Sequence, residues 1–162
     1  MKKIIIIGCP GSGKSTFARK LNSITKIPLC HLDMLFWNED KTTVSRVVLT
    51  QRIRTVMQNP GWIIDGNYGS TMEMRFKECD TVFFLDYPLE VCLEGIELRR
   101  GKIRSDMPWV ENEPDEEFIE YIKSFNENYR PQIMEMIKKY PEKHSIIFHS
   151  RKEADDFLMH LK

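Results

Sequence analysis

Five short runs enriched in apolar, β-branched or aromatic residues punctuate the chain: Lys3 to Ile7, Pro28 to Leu32, Trp62 to Ile64, Thr81 to Leu85 and Ser145 to His149. Their length and their lack of polar alternation predict strands buried on both faces. Helical patterns lie between most of them. The first begins at a glycine-rich loop and carries Phe17, Leu21 and Ile24 on one face, and a second spans about Val44 to Gln58. Another opens at Pro88, an acceptable first helical residue, and aligns Leu89, Cys92, Leu93 and Ile96. Asp115 to Glu117 introduce a long helix with Phe118, Ile122, Phe125 and Tyr129 in register, which Pro131 should kink or restart. Ser150-Arg151-Lys152-Glu153 has capping-box spacing ahead of a last helix with Ala154, Phe157, Leu158 and Leu161.

Strands alternating with helices imply an α/β fold with a parallel sheet, because each parallel return needs a crossover and the helix is that crossover. No internal repeat, low-complexity tract or linker interrupts the pattern, so residues 1–162 are expected to form one domain. Two stretches break the rhythm, Met34 to Gln58 and Gly101 to Glu113, and both read as insertions over the strand ends.

Composition narrows the partners. Lys plus Arg and Asp plus Glu number 24 each, so there is no long-range positive field for coating nucleic acid or an anionic membrane, and only local basic clusters remain for that task. The apolar run after Lys2-Lys3 is shorter than the about 7 to 15 residues of a secretion signal. No stretch approaches the roughly 18 apolar residues of a membrane span, and a cytoplasmic protein without membrane contact is expected. Cys9, Cys30, Cys79 and Cys92 lack metal-like spacing and read as reduced, buried thiols.

Chemistry enters at Gly8-Cys9-Pro10-Gly11-Ser12-Gly13-Lys14-Ser15-Thr16, which matches G-x-x-x-x-G-K-[ST] directly after a predicted strand and before a predicted helix. Glycines let the backbone wrap a phosphate chain, and the helix N-terminus adds its positive dipole end. Lys14 should reach the β and γ phosphates, and the Ser15 hydroxyl should hold Mg²⁺.

Arg99, Arg100, Lys102 and Arg104 form a basic cluster at a helix end. It is either a solvated, dipole-favoured terminus or a lid that closes on a transferring phosphoryl group. Asp65 ends a strand that, beside the first, comes within reach of the Mg²⁺ shell, and Asp86 competes for that role. Asp33 is either a turn former or the base that accepts a proton from an acceptor hydroxyl. His31 reads as a packed core imidazole. Leu35-Phe36-Trp37 either closes the core or walls an acceptor pocket. Arg46, Arg52, Arg54 and Arg75 are candidate grips on an anionic acceptor, the first three more readily solvated helix faces.

Together these residues resemble the small P-loop kinases of the adenylate-kinase type, and within them the bacterial DNA topology modulation proteins of the FlaR type. The stretches that carry the resemblance are GCPGSGKST, PLCHLDMLFW, WIIDGNYGSTMEMR, TVFFLDYP and the basic lid ending Ser105-Asp106-Met107. The resemblance implies a three-layer α/β/α P-loop fold with a five-stranded parallel sheet of order 2-3-1-4-5, an acceptor-binding insertion over about residues 34–58 and a lid over about 99–113. On this reading Lys14, Asp33, Asp65, Arg99 and Arg104 are catalytic, and Ser15 and Asp65 hold Mg²⁺. Asp33, Phe36, Trp37, Asn67, Tyr68 and Arg75 bind a small acceptor, nucleoside-like or nucleotide-like. The implied activity is transfer of the ATP γ-phosphoryl group by a monomer or small homo-oligomer. The family's label offers the alternative of a nucleotide-gated regulator of DNA topology with slow or no hydrolysis. Two positions depart from nucleotide kinases: Asn67-Tyr68-Gly69 replaces the usual Phe-Pro-Arg, and Gly95 stands where an arginine often precedes the lid.

Overall fold

The structure is a computed structural model and describes residues 1–113 and 115–161. At its centre lies β1 (Lys3–Gly8), flanked by β3 (Trp62–Asp65) and β4 (Thr81–Leu85), with β2 (Leu29–His31) and β5 (His144–Phe148) at the edges. All four pairings are parallel, and the sheet order β2-β3-β1-β4-β5 is the one the resemblance implied. Residues Ile4 to Ile7 are fully buried, as the uninterrupted apolar run requires of a central strand covered on both faces. Beside this strand, the rings of Phe17, Phe83, Phe148 and Phe157 pack at centroid separations of 5.1 to 6.0 Å. They tie the helices at either end of the chain to the sheet.

The helices are α1 (Lys14–Thr25), α2 (Leu32–Phe36), α3 (Arg46–Met57), α4 (Gly69–Glu78), α5 (Leu89–Arg99), α6 (Glu116–Asn128), α7 (Arg130–Lys139) and α8 (Arg151–His160). Ser45, Asp115 and Ser150 cap α3, α6 and α8 through side-chain oxygens that accept from the backbone of Val48, Phe118 and Glu153. Tyr129 ends α6 and starts α7, with Pro131 in the first turn of the latter, so the long helix is broken where its missing N–H predicts.

Three boundaries differ from the expectation. β2 stops at His31 because its neighbour β3 offers no partner beyond Asp65, and Leu32 instead begins the short helix α2. β5 runs one residue earlier than predicted, pairing Phe148 with Leu85. α4 fills an interval in which the apolar pattern marks no stripe, since the buried face of that helix includes Thr71 and Arg75 beside Met72 and Phe76.

Candidate active site

The carboxyl ends of β1, β2 and β3 open toward a common crevice, where open α/β sheets bind their ligands. β1 ends at Gly8, and α1 starts at Lys14 after a left-handed Gly13 at φ 94° that offers no side-chain cap. The first N–H groups of α1 are thereby left to an external anion. Lys14 Nζ donates to the Cys9 carbonyl at 3.3 Å, a neutral partner that leaves its charge available. The loop leans on α5 with almost no clearance. A Cβ on Gly11 would lie 2.0 Å from the Cys92 carbonyl oxygen, and one on Gly95 would lie 2.0 Å from the Gly11 carbonyl oxygen. Gly95 is therefore not a vacated arginine position. It is the notch into which the phosphate loop packs.

Asp65 reaches the loop as expected, because the β1–β3 register sets it opposite Ile6. Ser15 Oγ lies 2.7 Å from Asp65 Oδ2 and 2.8 Å from Asp106 Oδ2, and His31 Nδ1 lies 2.7 Å from the same Asp65 oxygen. A hydroxyl has one proton, so it satisfies only one of two carboxylates. Asp65 and Asp106 are 4% and 5% exposed, and Asp65 Oδ1 has no hydrogen-bond partner. A hydroxyl, two buried carboxylates and an unpartnered oxygen suit Mg²⁺, which takes one or two carboxylates and fills its shell with phosphate and water. Among the described residues no set of three or more His, Cys, Asp and Glu side chains forms a metal cage of its own. Burial works against the Asp106 carboxylate, but Arg104 and the Ser15 hydroxyl outweigh it and hold the carboxyl below the usual range.

His31 is thus not a core imidazole; it orients Asp65. Asp106 carried no signal of its own in the sequence beyond being an acid inside a basic run.

Lys14, Ser15, Asp65 and Asp33 line one cavity of about 1390 Å³. Asp33, on α2, accepts a hydrogen bond from the Tyr68 hydroxyl. Burial raises the Asp33 carboxyl above its ordinary range, opposed by that hydrogen bond, while the negative charges of Asp65 and Asp106 add to the rise. The expected Phe36, Trp37 and Tyr68 also line the cavity, joined by Trp109, Phe118 and Tyr121. Phe118 was legible only as part of a core stripe, and Tyr121 lies off that stripe. A smaller cavity of about 420 Å³ adjoins the other side of the loop, bounded by Gly11 to Phe17, Arg19, Lys20, Tyr87, Arg99, Arg104 and Arg151.

Two of the expected acceptor-side residues bond the chain itself. Arg75 is fully buried and donates to the backbone carbonyls of Gly66, Asn67 and Tyr68, so it braces the turn after β3 and is absent from the cavity wall. Burial lowers its guanidinium to about 10. Asn67 borders the cavity, yet its amide accepts from Gly8 N at 3.1 Å and donates to Gly8 O at 2.8 Å, pinning the start of the phosphate loop. Arg46, Arg52 and Arg54 are absent from the cavity wall, and Arg52 donates to the Leu35 carbonyl at 2.6 Å. Asp86 sits in a two-pronged pair with Arg130 at 2.8 to 3.0 Å, whereas Ser15 bonds Asp65.

Arg99 and Arg104 stand over the loop, both paired with acids. Arg99 Nη2 donates to Glu111 Oε1 at 3.0 Å, while its Nε approaches Oε2 at 2.8 Å without hydrogen-bond geometry. Arg104 lies 3.7 Å from Asp106 and 3.8 Å from Glu111.

A comparison with protein-family models finds no match. Two curated proteins, the adenylate kinases of Thermotoga petrophila and Thermotoga maritima, are each 30% identical over 94 residues, which is 56% of this chain and 42% of each relative. The match thus spans less than half of the relatives' length. Over 99% of this chain and 90% of its own, a shikimate kinase from Acinetobacter baumannii in complex with shikimate superposes with TM-score 0.66 at 15% identity. The chain has a P-loop kinase fold. A second shikimate kinase, from Bacteroides thetaiotaomicron, superposes with TM-score 0.55 at 19% identity, covering 98% of this chain and 94% of that one. No described helix is long and apolar enough to cross a membrane.

Proposed function

We propose that this protein is an ATP-dependent phosphotransferase of the adenylate-kinase type, grouped with the FlaR-type proteins by HLD-x-LFW and IIDGNY, that phosphorylates a hydroxyl of a small molecule. One observation carries the reading: the phosphate-loop lysine and serine, the cation carboxylate Asp65 and the buried carboxyl of Asp33 all face a single cavity. Backbone N–H groups of the loop and Lys14 hold the phosphate chain, and Ser15, Asp65 and Asp106 position the cation. Bound Mg²⁺ supplies neutralising charge to the β and γ phosphate oxygens. Asp33 accepts the acceptor's hydroxyl proton as the new O–P bond forms and the bond from Pγ to the leaving ADP oxygen breaks. Arg99 and Arg104 exchange Glu111 and Asp106 for the transferring phosphoryl group and exclude water from it.

This chain is read as one domain, with residues about 34–58 forming the acceptor wall and about 99–113 the lid. The topology-regulator alternative is not favoured by the basic cluster, where Arg99, Arg100 and Arg104 are paired with Glu111, Glu97 and Asp106 and, among the described residues, Lys102 alone of the four has no ion pair. Screening small alcohols for acceptor-dependent ADP release from ATP and Mg²⁺ tests the proposal. Release above the solvent background with at least one acceptor is expected. Release that no acceptor accelerates, with Lys14→Ala equal to the parent, overturns it.

A further inference from the structure

The acceptor half of the large cavity has a charge pattern that selects among alcohols. Starting at Asp33, a continuous aromatic wall runs outward: Tyr68 bonds Asp33, its ring meets Phe36 at 4.9 Å, Phe36 meets Trp37 at 5.4 Å, and Trp37 meets Trp109 at 5.6 Å. Across it, Tyr121 stacks on Phe118 at 6.2 Å and meets Tyr129 at 4.7 Å. Such walls favour flat, polarisable bodies over globular polyols.

Cations are scarce on this side. Among the described lining residues the positive groups are Lys14, Lys41, Arg99 and Arg100. Lys14 belongs to the phosphate loop, Arg99 when it leaves Glu111 is committed to the transferring phosphoryl group, Arg100 is paired with Glu97, and Lys41, which pairs with no acid among the described residues, lies 5.0 Å from the Trp109 ring centroid. Arg75, the one arginine that the sequence placed at this site with a good claim, is sealed in the turn behind it. Glu113, Asp115, Glu116 and Glu117 line the same cavity and add negative charge. A phosphate or carboxylate on the acceptor would therefore meet acids without a free guanidinium to neutralise it.

One polar feature points to a ligand. Trp109 Nε1 is buried and has no hydrogen-bond acceptor. A buried donor left unpaired is costly, and because Trp109 lines the cavity, a carbonyl or ring nitrogen of a bound molecule would satisfy it once the indole turns that edge inward.

We infer that the acceptor is an alcohol with no anionic group and a flat heteroaromatic body: a nucleoside, in preference to a nucleoside monophosphate. The inference deepens the phosphotransfer reading and rests on it. An uncharged nucleoside uses the aromatic wall and the Trp109 donor and presents a sugar hydroxyl to Asp33. Its monophosphate adds a charge that Glu113, Asp115, Glu116 and Glu117 oppose and that only Lys41, already over the Trp109 ring, faces without an acid of its own among the described residues.

Intrinsic tryptophan fluorescence tests it, because Trp37 and Trp109 line the cavity while Trp62 is buried in the sheet. Adenosine, guanosine, cytidine and thymidine and their 5′-monophosphates are titrated into the full chain with a non-hydrolysable ATP analogue and Mg²⁺ saturating the phosphate loop. ADP release from ATP is measured in parallel. At least one nucleoside should bind about 10-fold or more tightly than its own monophosphate, given what a stacked base and an unneutralised charge are worth. Trp109→Leu should weaken that nucleoside about 10-fold while leaving analogue affinity within about 2-fold. Trp109→Phe, which keeps a ring and loses only the donor, should fall between them. A monophosphate that binds as tightly as its nucleoside overturns the inference, and so does failure of every nucleoside to bind. Nucleoside binding without ADP release upholds the acceptor class and removes the phosphotransfer reading. ADP release driven solely by anionic acceptors does the reverse.

Discussion

The phosphate side of this site and its acceptor side are built in opposite ways. Nine consecutive residues, Gly8 to Thr16, make the loop that faces phosphate, and the binding groups there are chiefly backbone N–H donors and one lysine. The acceptor wall draws side chains from α2, from the turn after β3, from the segment between α5 and α6, and from α6 itself. A loop of backbone donors recognises any phosphate chain and is held by close backbone packing, so it tolerates almost no added volume. An aromatic wall assembled from separate elements recognises one shape, and its identity resides in side chains that can be exchanged one at a time.

Gly95→Arg attacks the first kind of construction, and its effect should be the largest. The new Cβ would meet the Gly11 carbonyl at 2.0 Å, backbone against backbone, with no flexible side-chain end to yield. A loss of about 3 kcal/mol or more in unfolding free energy is expected, together with weakened nucleotide binding. Denaturant melts and analogue titrations check it; a variant as stable as the parent would mean that the loop does not depend on this contact. The helix-propensity gain from replacing glycine, about 1 kcal/mol, is too small to offset the clash.

Lys14→Ala should weaken ATP-analogue binding by roughly 10- to 100-fold, the worth of a charged hydrogen bond, with little change in Tm, since its partner here is one carbonyl. Calorimetric titration of both proteins gives the answer. Unchanged affinity would strip the loop of its assigned role.

The two carboxylates at Ser15 sharpen the comparison, because one is carried by the sheet and the other by the lid. Asp65→Asn and Asp106→Asn should each raise the Mg²⁺ concentration needed for tight analogue binding by about 10-fold, and should do so more than they weaken metal-free binding. If Asp106→Asn leaves the Mg²⁺ requirement where it was, the lid carboxylate only pairs Arg104 and Arg19.

The smallest effect is expected at Tyr68. Asp33 acts as a base only when ionised, and burial raises its pKa, so turnover should fall with decreasing pH at a higher pH than for an ordinary carboxylate. The Tyr68 hydrogen bond opposes that rise. Tyr68→Phe should therefore move the acid limb of kcat upward by about one unit or less, with KM changed by no more than about 2-fold. A limb that stays in place or moves down would place the proton elsewhere.

What was legible in the sequence follows from range. The five buried strands, the loop motif and the break at Pro131 are local: apolar run length, glycine and proline stereochemistry, and capping spacing act within a few residues. The order of the sheet came through resemblance to kinases, and the parallel register then placed Asp65 against Ile6. Asp65 was legible as a candidate because it ends a strand on the ligand-binding edge, and Asp33 because it closes a predicted strand there, although the structure carries it on α2 just past β2. Arg75 differs from its expected place for a simple reason, and Asn67 does so in part, since it lines the cavity while its amide bonds Gly8. Side-chain type indicates what a residue can bind, but an arginine brings five donors that backbone carbonyls satisfy as well as phosphates do, and only packing decides which set it meets. His31, Asp106 and Trp109 entered the site by the same route, as did Gly95, whose missing side chain is filled by the phosphate loop. The amino-acid sequence determined the alternation of elements and the phosphate-binding loop, both set by short-range sterics and backbone hydrogen bonding. Tertiary structure alone decided which charges are neutralised and which aromatic rings meet, because those depend on chain segments brought together from far apart in sequence, as Ser15 and Asp106 are across 91 residues.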